Sequence, residues 1–366
     1  MAYGTVQADV IGTSVAGSNL GAGNASIMKN RIINGSMTID QRNAGASVST
    51  ASGTNIYSLD RWRLGYTQTS KFTAQQSSTA PVGFVNSLAI TSSSAYSVAA
   101  TDYFQIRQYI EGYNVADLGW GTASAKTVTL SFQVYSSLTG TFGGALNNSA
   151  FDRSYPFSYS VPVANTWTTI SVTIAGDTTG TWLTTNGIGI SVSFGLGVGS
   201  TYSGTAGSWA AGFYGSATGA TSVVGTNGAT FYITGVQLEV GSSATGFEYR
   251  QYQQELALCQ RYYQYIGGSS SNTELLCGAN GTARVRGSGI LSTTMRASPT
   301  MALSGTPTFY IYGSGSPTYS SNVVTVATTY GLTSYLFDLN TSGGMTAGQV
   351  VGIDLGASSF TFNAEL

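Results

Sequence analysis

The sequence predicts an all-β protein: an antiparallel jelly-roll sandwich, a short helical connector, and a second, smaller β-sandwich or barrel. Three observations carry this reading. Apolar residues alternate with polar ones along most of the chain, the period of a strand with one dry and one wet face. Turn formers, led by 48 glycines in 366 residues, interrupt these runs at roughly 8–12 residue intervals. Charged residues make up only 8%, yet 23 Tyr, 15 Phe and 5 Trp supply core-forming rings, and Ser, Thr and Asn fill the polar positions.

Residues 1–29 carry only sparse apolar positions (Val6, Val10, Ile11, Val15, Leu20, Ile27) and cannot build a core. They read as an arm that orders against neighbouring chains or a docking partner. Residues 30–250 hold the jelly roll. SLAITSSS (Ser87 to Ser94) alternates. In YFQIRQYIEG, Phe104, Ile106, Gln108 and Ile110 share one face, and Tyr103, Gln105, Arg107 and Tyr109 the other. KTVTLSFQVYS points Val128, Leu130, Phe132 and Val134 inward, and WTTISVTIAG does so with Ile170, Val172 and Ile174. GIGISVSFGLG (Gly187 to Gly197) and TFYITGVQLEV (Thr230 to Val240) complete the strong strands. Two such sheets must pack face to face. Residues 251–268 read as a helical neck, because Tyr252, Leu256, Cys259, Tyr262 and Tyr263 form an apolar stripe before Gly267 and Gly268. Residues 269–366 return to eight short strands, from ELLCGAN to SSFTFNAEL.

Composition excludes several functions. A net charge of −1 with few cationic residues leaves no patch to neutralise phosphates, so nucleic acid is not expected as a partner. No apolar run is long enough to span a membrane. MAYGTVQADV lacks the basic and apolar regions of a signal peptide, which predicts synthesis in the host cytoplasm without one. The two cysteines, Cys259 and Cys277, read as free thiols. The absence of histidine removes His-based catalytic triads and His-ligated zinc. No cofactor and no metal site is expected.

The block NRIINGSMTIDQRNAG (Asn30 to Gly45), closing on LDRWR (Leu59 to Arg63), pairs with FYITGVQLEVG (Phe231 to Gly241) and FEYRQYQQELALCQRYY (Phe247 to Tyr263). With Ile110 to Phe132 and Asn165 to Trp182, these blocks resemble phage tail-fibre and related virion proteins that carry a jelly-roll, carbohydrate-binding-module-like domain. The resemblance covers about residues 30–263; TMRASPTMALSG (Thr294 to Gly305) and the terminal FNAEL are similar too. It implies a virion protein that binds host-surface glycan or lipopolysaccharide without catalysis. It also implies a homotrimer, and an N-terminal arm that docks on other virion proteins. Such modules often carry Asp in the last strand as a calcium ligand; Thr234 stands there, which lowers the expectation of calcium. A purely structural head-fibre, capsid-decoration or tail-assembly protein is the alternative, and a polysaccharide depolymerase a more distant one.

Aromatic faces are the natural sugar platforms. Trp62 and Trp167 read as core, and Trp120 and Trp182 lie at turns. Trp209 sits in the long Gly/Ala/Ser stretch 199–228, and with Phe213, Tyr214 and Tyr202 it forms the candidate ligand-binding set. Glycoside hydrolysis needs two carboxylates, one as acid and one as nucleophile or base. Several acids have sequence neighbours of opposite charge: Asp40 with Arg42, Asp60 with Arg61, Asp152 with Arg153, Glu248 with Arg250. Glu239 and Glu248 belong to a block that reads as structural. No catalytic residue is assigned. Tyr252, Leu256, Tyr262, Tyr263 and Arg261 are assigned to a contact between copies of the chain, since aromatics with Arg favour interfaces.

Overall fold

The computed structural model describes residues 28–51, 56–267, 274–311, 318–320, 323–341 and 345–366. The N-terminal arm, apart from Met28 and Lys29, lies outside the described residues. The chain divides into two compact units between Tyr252 and Gln253.

In the first unit the strands are, in chain order, β1 (Val48–Ser49), β2 (Tyr57–Leu59), β3 (Trp62–Tyr66), β4 (Phe72–Ser77), β5 (Ser87–Ser92), β6 (Tyr103–Glu111), β7 (Val128–Ser136) and β8 (Gly140–Asn147). Then follow β9 (Arg153–Val161), β10 (Thr168–Ile174), β11 (Ile188–Val198), β12 (Ser203–Gly204), β13 (Ala210–Ala211), β14 (Ser216–Ala217) and β15 (Thr230–Val240). One sheet runs β1-β4-β5-β15-β7-β10 and the other β13-β9-β8-β11-β6-β3-β2, with β12 and β14 forming a small parallel pair. This is a jelly-roll sandwich of antiparallel sheets. Alternation decides which residues meet between them. Phe132 of one sheet packs 4.9 Å from Phe194 and 5.0 Å from Tyr159 of the other, and Phe142 lies 5.9 Å from Phe231. Trp62 is fully buried, and its indole N–H donates to the Asn34 carbonyl at 3.0 Å. Trp167, expected in the core, is only half-buried and leans on Tyr135 at 5.6 Å, because it precedes β10 on the outer side.

The opening block closes the sandwich by lending side-chain amides to backbone groups that a bulge leaves unpaired. Strand β15 breaks register between Thr234 and Gln237, with Gly235 at φ +63°. Into that gap goes the segment from Asn30. The Asn30 amide donates to the Val236 carbonyl at 3.0 Å, and its oxygen accepts from the Ile32 and Leu238 N–H groups at 2.9 and 3.1 Å. Arg31 N–H reaches the Leu238 carbonyl at 2.9 Å, and Val236 N–H the Gly35 carbonyl at 3.0 Å. Residue 35 must be glycine, since a Cβ there would sit 2.1 Å from the Val236 carbonyl oxygen. Gln108 completes the join: its amide accepts from Ile33 N–H at 2.9 Å and donates to the Ile33 carbonyl at 2.8 Å, standing in for a strand partner.

The second unit opens with helix α1 (Tyr252–Gln260). The sequence pattern extends that helix to Ile266, but Tyr263–Gly267 is a strand, β16. Alternating aromatic and polar residues there gain a full ladder against the C-terminal strand, which outweighs helical spacing. The remaining strands are β17 (Glu274–Ala279), β18 (Arg284–Ile290), β19 (Thr300–Ser304), β20 (Thr308–Ile311), β21 (Thr318–Ser320), β22 (Val323–Tyr330), β23 (Ser334–Asn340), β24 (Val350–Asp354) and β25 (Ser359–Asn363). They form sheets β16-β25-β19 and β21-β20-β24-β17-β18-β23-β22. Tyr335 on Phe362 (4.7 Å) and Phe337 on Phe360 (4.9 Å) join the two sheets as a smaller sandwich. Of the residues assigned above to an interface between copies, Tyr262 and Tyr263 are buried within the chain, Tyr252 is 59% exposed, and Leu256 and Arg261 are intermediate. Neither Cys259 nor Cys277 forms a disulfide, and burial pushes the Cys277 thiol up to about 12.

Two stability outcomes follow from this packing. Asn30→Ala should lower unfolding stability by about 3 kcal/mol in urea titrations, because it strands several buried backbone groups at once; a loss under about 1 kcal/mol would show that the clasp is dispensable. Tyr159→Phe should leave stability unchanged or raise it by up to about 1 kcal/mol, since the buried Tyr159 hydroxyl has no partner among the described residues.

Candidate ligand-binding surface of the first unit

Strand β6 builds the site from its second face. While Phe104, Ile106 and Ile110 enter the core, Tyr103, Gln105, Arg107 and Tyr109 face away from it. The neighbouring strands carry small residues on this face: Ser191, Ser193 and Gly195 on β11, Gly143 and Ala145 on β8. The 199–217 loop lies over those small residues. Ser216 sits where any side chain at residue 143 or 195 would stand, with its Oγ 2.5 and 2.7 Å from the Cβ positions those glycines lack. The Ser154 hydroxyl donates to the Gly212 carbonyl at 2.6 Å and accepts from Tyr214 N–H at 2.9 Å, and the Asn147 amide donates to the Tyr214 carbonyl at 2.9 Å. The loop thus occupies one half of the sheet face and leaves an aromatic margin on the other.

That margin brings together two of the four candidate residues. Tyr202 and Phe213 lie 5.3 Å apart, and each packs on Tyr103, at 5.6 and 5.7 Å. Phe151, from the β8–β9 turn, adds a fourth ring 5.4 Å from Phe213. All four are half-buried. Beneath them the Arg107 guanidinium lies 5.6–5.9 Å from the ring centroids of Phe151, Tyr103, Tyr109 and Phe213. Arg63, its cross-strand neighbour on β3, donates to the Tyr109 hydroxyl at 2.7 Å, and Arg107 donates to the same oxygen at 3.1 Å. Arg107, Tyr103 and Phe151 were not chosen from the sequence. The available signal was the second face of β6, which reads Tyr, Gln, Arg, Tyr where the other outer faces read mostly Ser, Thr or Gly.

The other two candidates lie elsewhere. Trp209 joins Trp120 and Trp182 in a triangle with ring centroids 4.7–5.3 Å apart, and Tyr155 touches it at 5.2 Å. All three indole N–H groups are taken by backbone carbonyls: Trp120 by Lys126, Trp182 by Thr179, Trp209 by Ala175. This arrangement fastens three chain connections to one another. A cleft lined by Val115, Leu118, Trp120, Trp182, Leu183 and Ile190 opens beside it. Tyr214 packs over Gly204 within the loop.

The carboxylates singled out in the sequence are engaged in structure. Arg153 pairs with Asp177 at 2.7 and 2.8 Å, and not with the adjacent Asp152, whose carboxylate accepts from Asn148. Burial alone would raise the Asp177 carboxyl, but hydrogen bonds from Arg153 and Thr179 outweigh it and hold it below its ordinary range. Glu239 accepts from Thr245 and Gln237, and Glu248 from Asn30 and Arg250. The Asp40 carboxylate accepts from Asn43 and Gly45 N–H groups. Thr234 donates to the Asn86 carbonyl at 2.8 Å. Among the described residues no three Cys, Asp or Glu side chains group as a metal-ligand set, and no helix is long and apolar enough to cross a membrane.

No protein-family model matches the chain, and no curated protein matches it in sequence. Among solved structures, the family 11 carbohydrate-binding module of the cellulosomal cellulase Lic26A-Cel5E of Clostridium thermocellum is similar over 56% of this chain and 99% of its own, at 13% identity and a TM-score of 0.28. The module TmCBM61, solved with β-1,4-galactotriose, covers 53% of this chain and 99% of its own at 9% identity and a TM-score of 0.27. The enzymatically active domain of bacteriophage CBA120 tailspike protein 4 covers 53% of this chain at 12% identity and a TM-score of 0.30; the match spans 22% of that tailspike chain. These scores are too low to carry function across.

Asp60, beside the arginine-rich end of this face, sets a pH dependence. Burial pushes its carboxyl up to about 6, against Arg42 and two Gln41 hydrogen bonds that pull it down, while Asp40 adds to the rise. The folded chain therefore holds this proton more tightly than the unfolded one. The stability it confers is complete below about pH 4 and is lost as pH rises through about 6, a change of about 3 kcal/mol. Urea titrations between pH 4 and 7 should show that Asp60→Asn flattens this fall; an unchanged slope would assign it to other groups.

Proposed function

We propose that the protein is a non-catalytic glycan-binding component of a phage virion, of the tail-fibre type, that attaches to polysaccharide or lipopolysaccharide on the host surface. The virion assignment rests on the sequence blocks at Asn30–Gly45, Leu59–Arg63, Phe231–Gly241 and Phe247–Tyr263. The binding assignment rests on one observation: Tyr103, Tyr202 and Phe213 pack together, half-exposed, on the outer face of a jelly-roll sheet. Rings in this setting offer C–H contacts and apolar area to a pyranose at little entropic cost. Each such site binds weakly. A trimer, or several fibres on one particle, raises the effective concentration and converts weak sites into firm attachment. In this reading the N-terminal arm docks on other virion proteins.

A second reading has one observation in its favour. The β4–β5 turn presents Val82 fully exposed and Val85 73% exposed, beside Phe84, Phe247 and the 63% exposed Tyr249. Apolar surface of this kind marks contact with protein, as a head-fibre, decoration or assembly protein would need.

A glycan array probed with the purified chain separates the two. Phe213→Ala should weaken all glycan signals with the fold intact by circular dichroism. Trp209→Ala should instead lower the melting temperature, because it opens the tryptophan triangle. A uniformly blank array would favour the structural reading, and a mass of one chain in solution would remove the trimer.

A further inference from the structure

The aromatic margin encloses a charge that glycan stacking alone does not require. Arg107 is 6% exposed, and no ion pair among the described residues involves it. Burying a guanidinium without an anion is costly. Four rings within 6 Å recover part of that cost. Its hydrogen bonds go to neutral groups: one from Nη1 to the Tyr109 hydroxyl, and those from Nε and Nη2 to the Gln105 amide oxygen, turned to face it. A guanidinium has five N–H donors. Three are used, so one on each terminal nitrogen remains to meet an anion.

The surroundings add to the positive field. Arg63 shares the Tyr109 hydroxyl, so two cations converge on one neutral oxygen in a chain with only 8% charged residues. Ser191, opposite Tyr109 in the ladder, is buried with its hydroxyl unpartnered among the described residues. Phe151 holds its ring against both Tyr109 and Phe213 from a backbone at φ +56°, a strained conformation for an aromatic residue that persists only where the surroundings impose it.

Resting on the glycan-binding reading, we infer that this margin selects acidic sugars: a uronic or ulosonic acid residue whose ring lies on Tyr202 and Phe213 and whose carboxylate accepts from the two remaining Arg107 N–H groups. Carboxylate binding supplies the missing counter-charge, so the ligand gains a charge-assisted pair in a site shielded from water. Neutral glycans meet the rings alone and bind more weakly.

The test uses the full chain and a panel of oligosaccharides of uronic and ulosonic acids, each beside its carboxyl-reduced counterpart. The acid forms should bind at least about tenfold more tightly than the reduced forms. The preference should collapse in Arg107→Gln, while Phe213→Ala weakens acid and reduced forms alike. If Arg107→Gln does not fold, the acid-against-reduced comparison on the unaltered chain decides by itself. Equal binding of acid and reduced forms, or a preference that survives in folded Arg107→Gln, overturns the inference and leaves glycan binding standing. Binding to no sugar of either kind overturns both.

Discussion

The first unit depends on how the chain treats the bulge in β15. A bulge frees backbone N–H and C=O groups at the centre of a sandwich, where water cannot satisfy them. Asn30 and Gln108 satisfy these and neighbouring groups with side-chain amides, each acting as donor and acceptor at once. Asn34 does the same one turn on, between Ile39 and the Asp60 carbonyl. A carboxylate could not replace them, because it accepts only. The two ends of a 220-residue stretch are thereby held to one another, with Glu248 and Arg250 binding the backbone of Met28, Asn30 and Ile32. This explains why the opening and closing blocks stand out from a bland sequence: they carry a dense share of the side-chain hydrogen bonds of the fold.

Much of the architecture was legible because alternation is a direct readout of facing. The runs at Ser87, Tyr103, Lys126, Trp167, Gly187 and Thr230 each become a strand within a few residues of the pattern. The eight strands read in the second unit are likewise present. Strands β8 and β9 gave weaker signals. TFGGALN has glycines where outward side chains would mark a period, and SYPFSYS contains a proline. Pro156 is tolerated because β13 pairs only with Arg153 and Ser154, so β9 is an edge from there on. The error at Tyr262–Ile266 arose because aromatic residues suit both a helical stripe and a ladder, and only the distant C-terminal strand decides between them.

The candidate site was half legible. Composition pointed to the 199–228 loop, and two of its rings do stand in the aromatic margin. Grouping depends on contacts that spacing does not encode. Trp120, Trp182 and Trp209 come from three separate connections, so nothing local indicated that they would meet and consume one another's polar handles. Arg107 was visible on the second face of β6, but its lack of a carboxylate partner is a property of the folded surface alone.

The way the loop is seated separates two kinds of sequence change. Its ends of attachment, the Ser154 hydroxyl, the Asn147 amide and the indole of Trp209, lie on or against the scaffold. The rings that reach solvent, Tyr202 and Phe213, are set between and beside those posts. Exchanging the posts undoes the fold, whereas exchanging the rings rewrites what the surface meets. A segment of under twenty residues can therefore vary in what it presents while the framework stays constant.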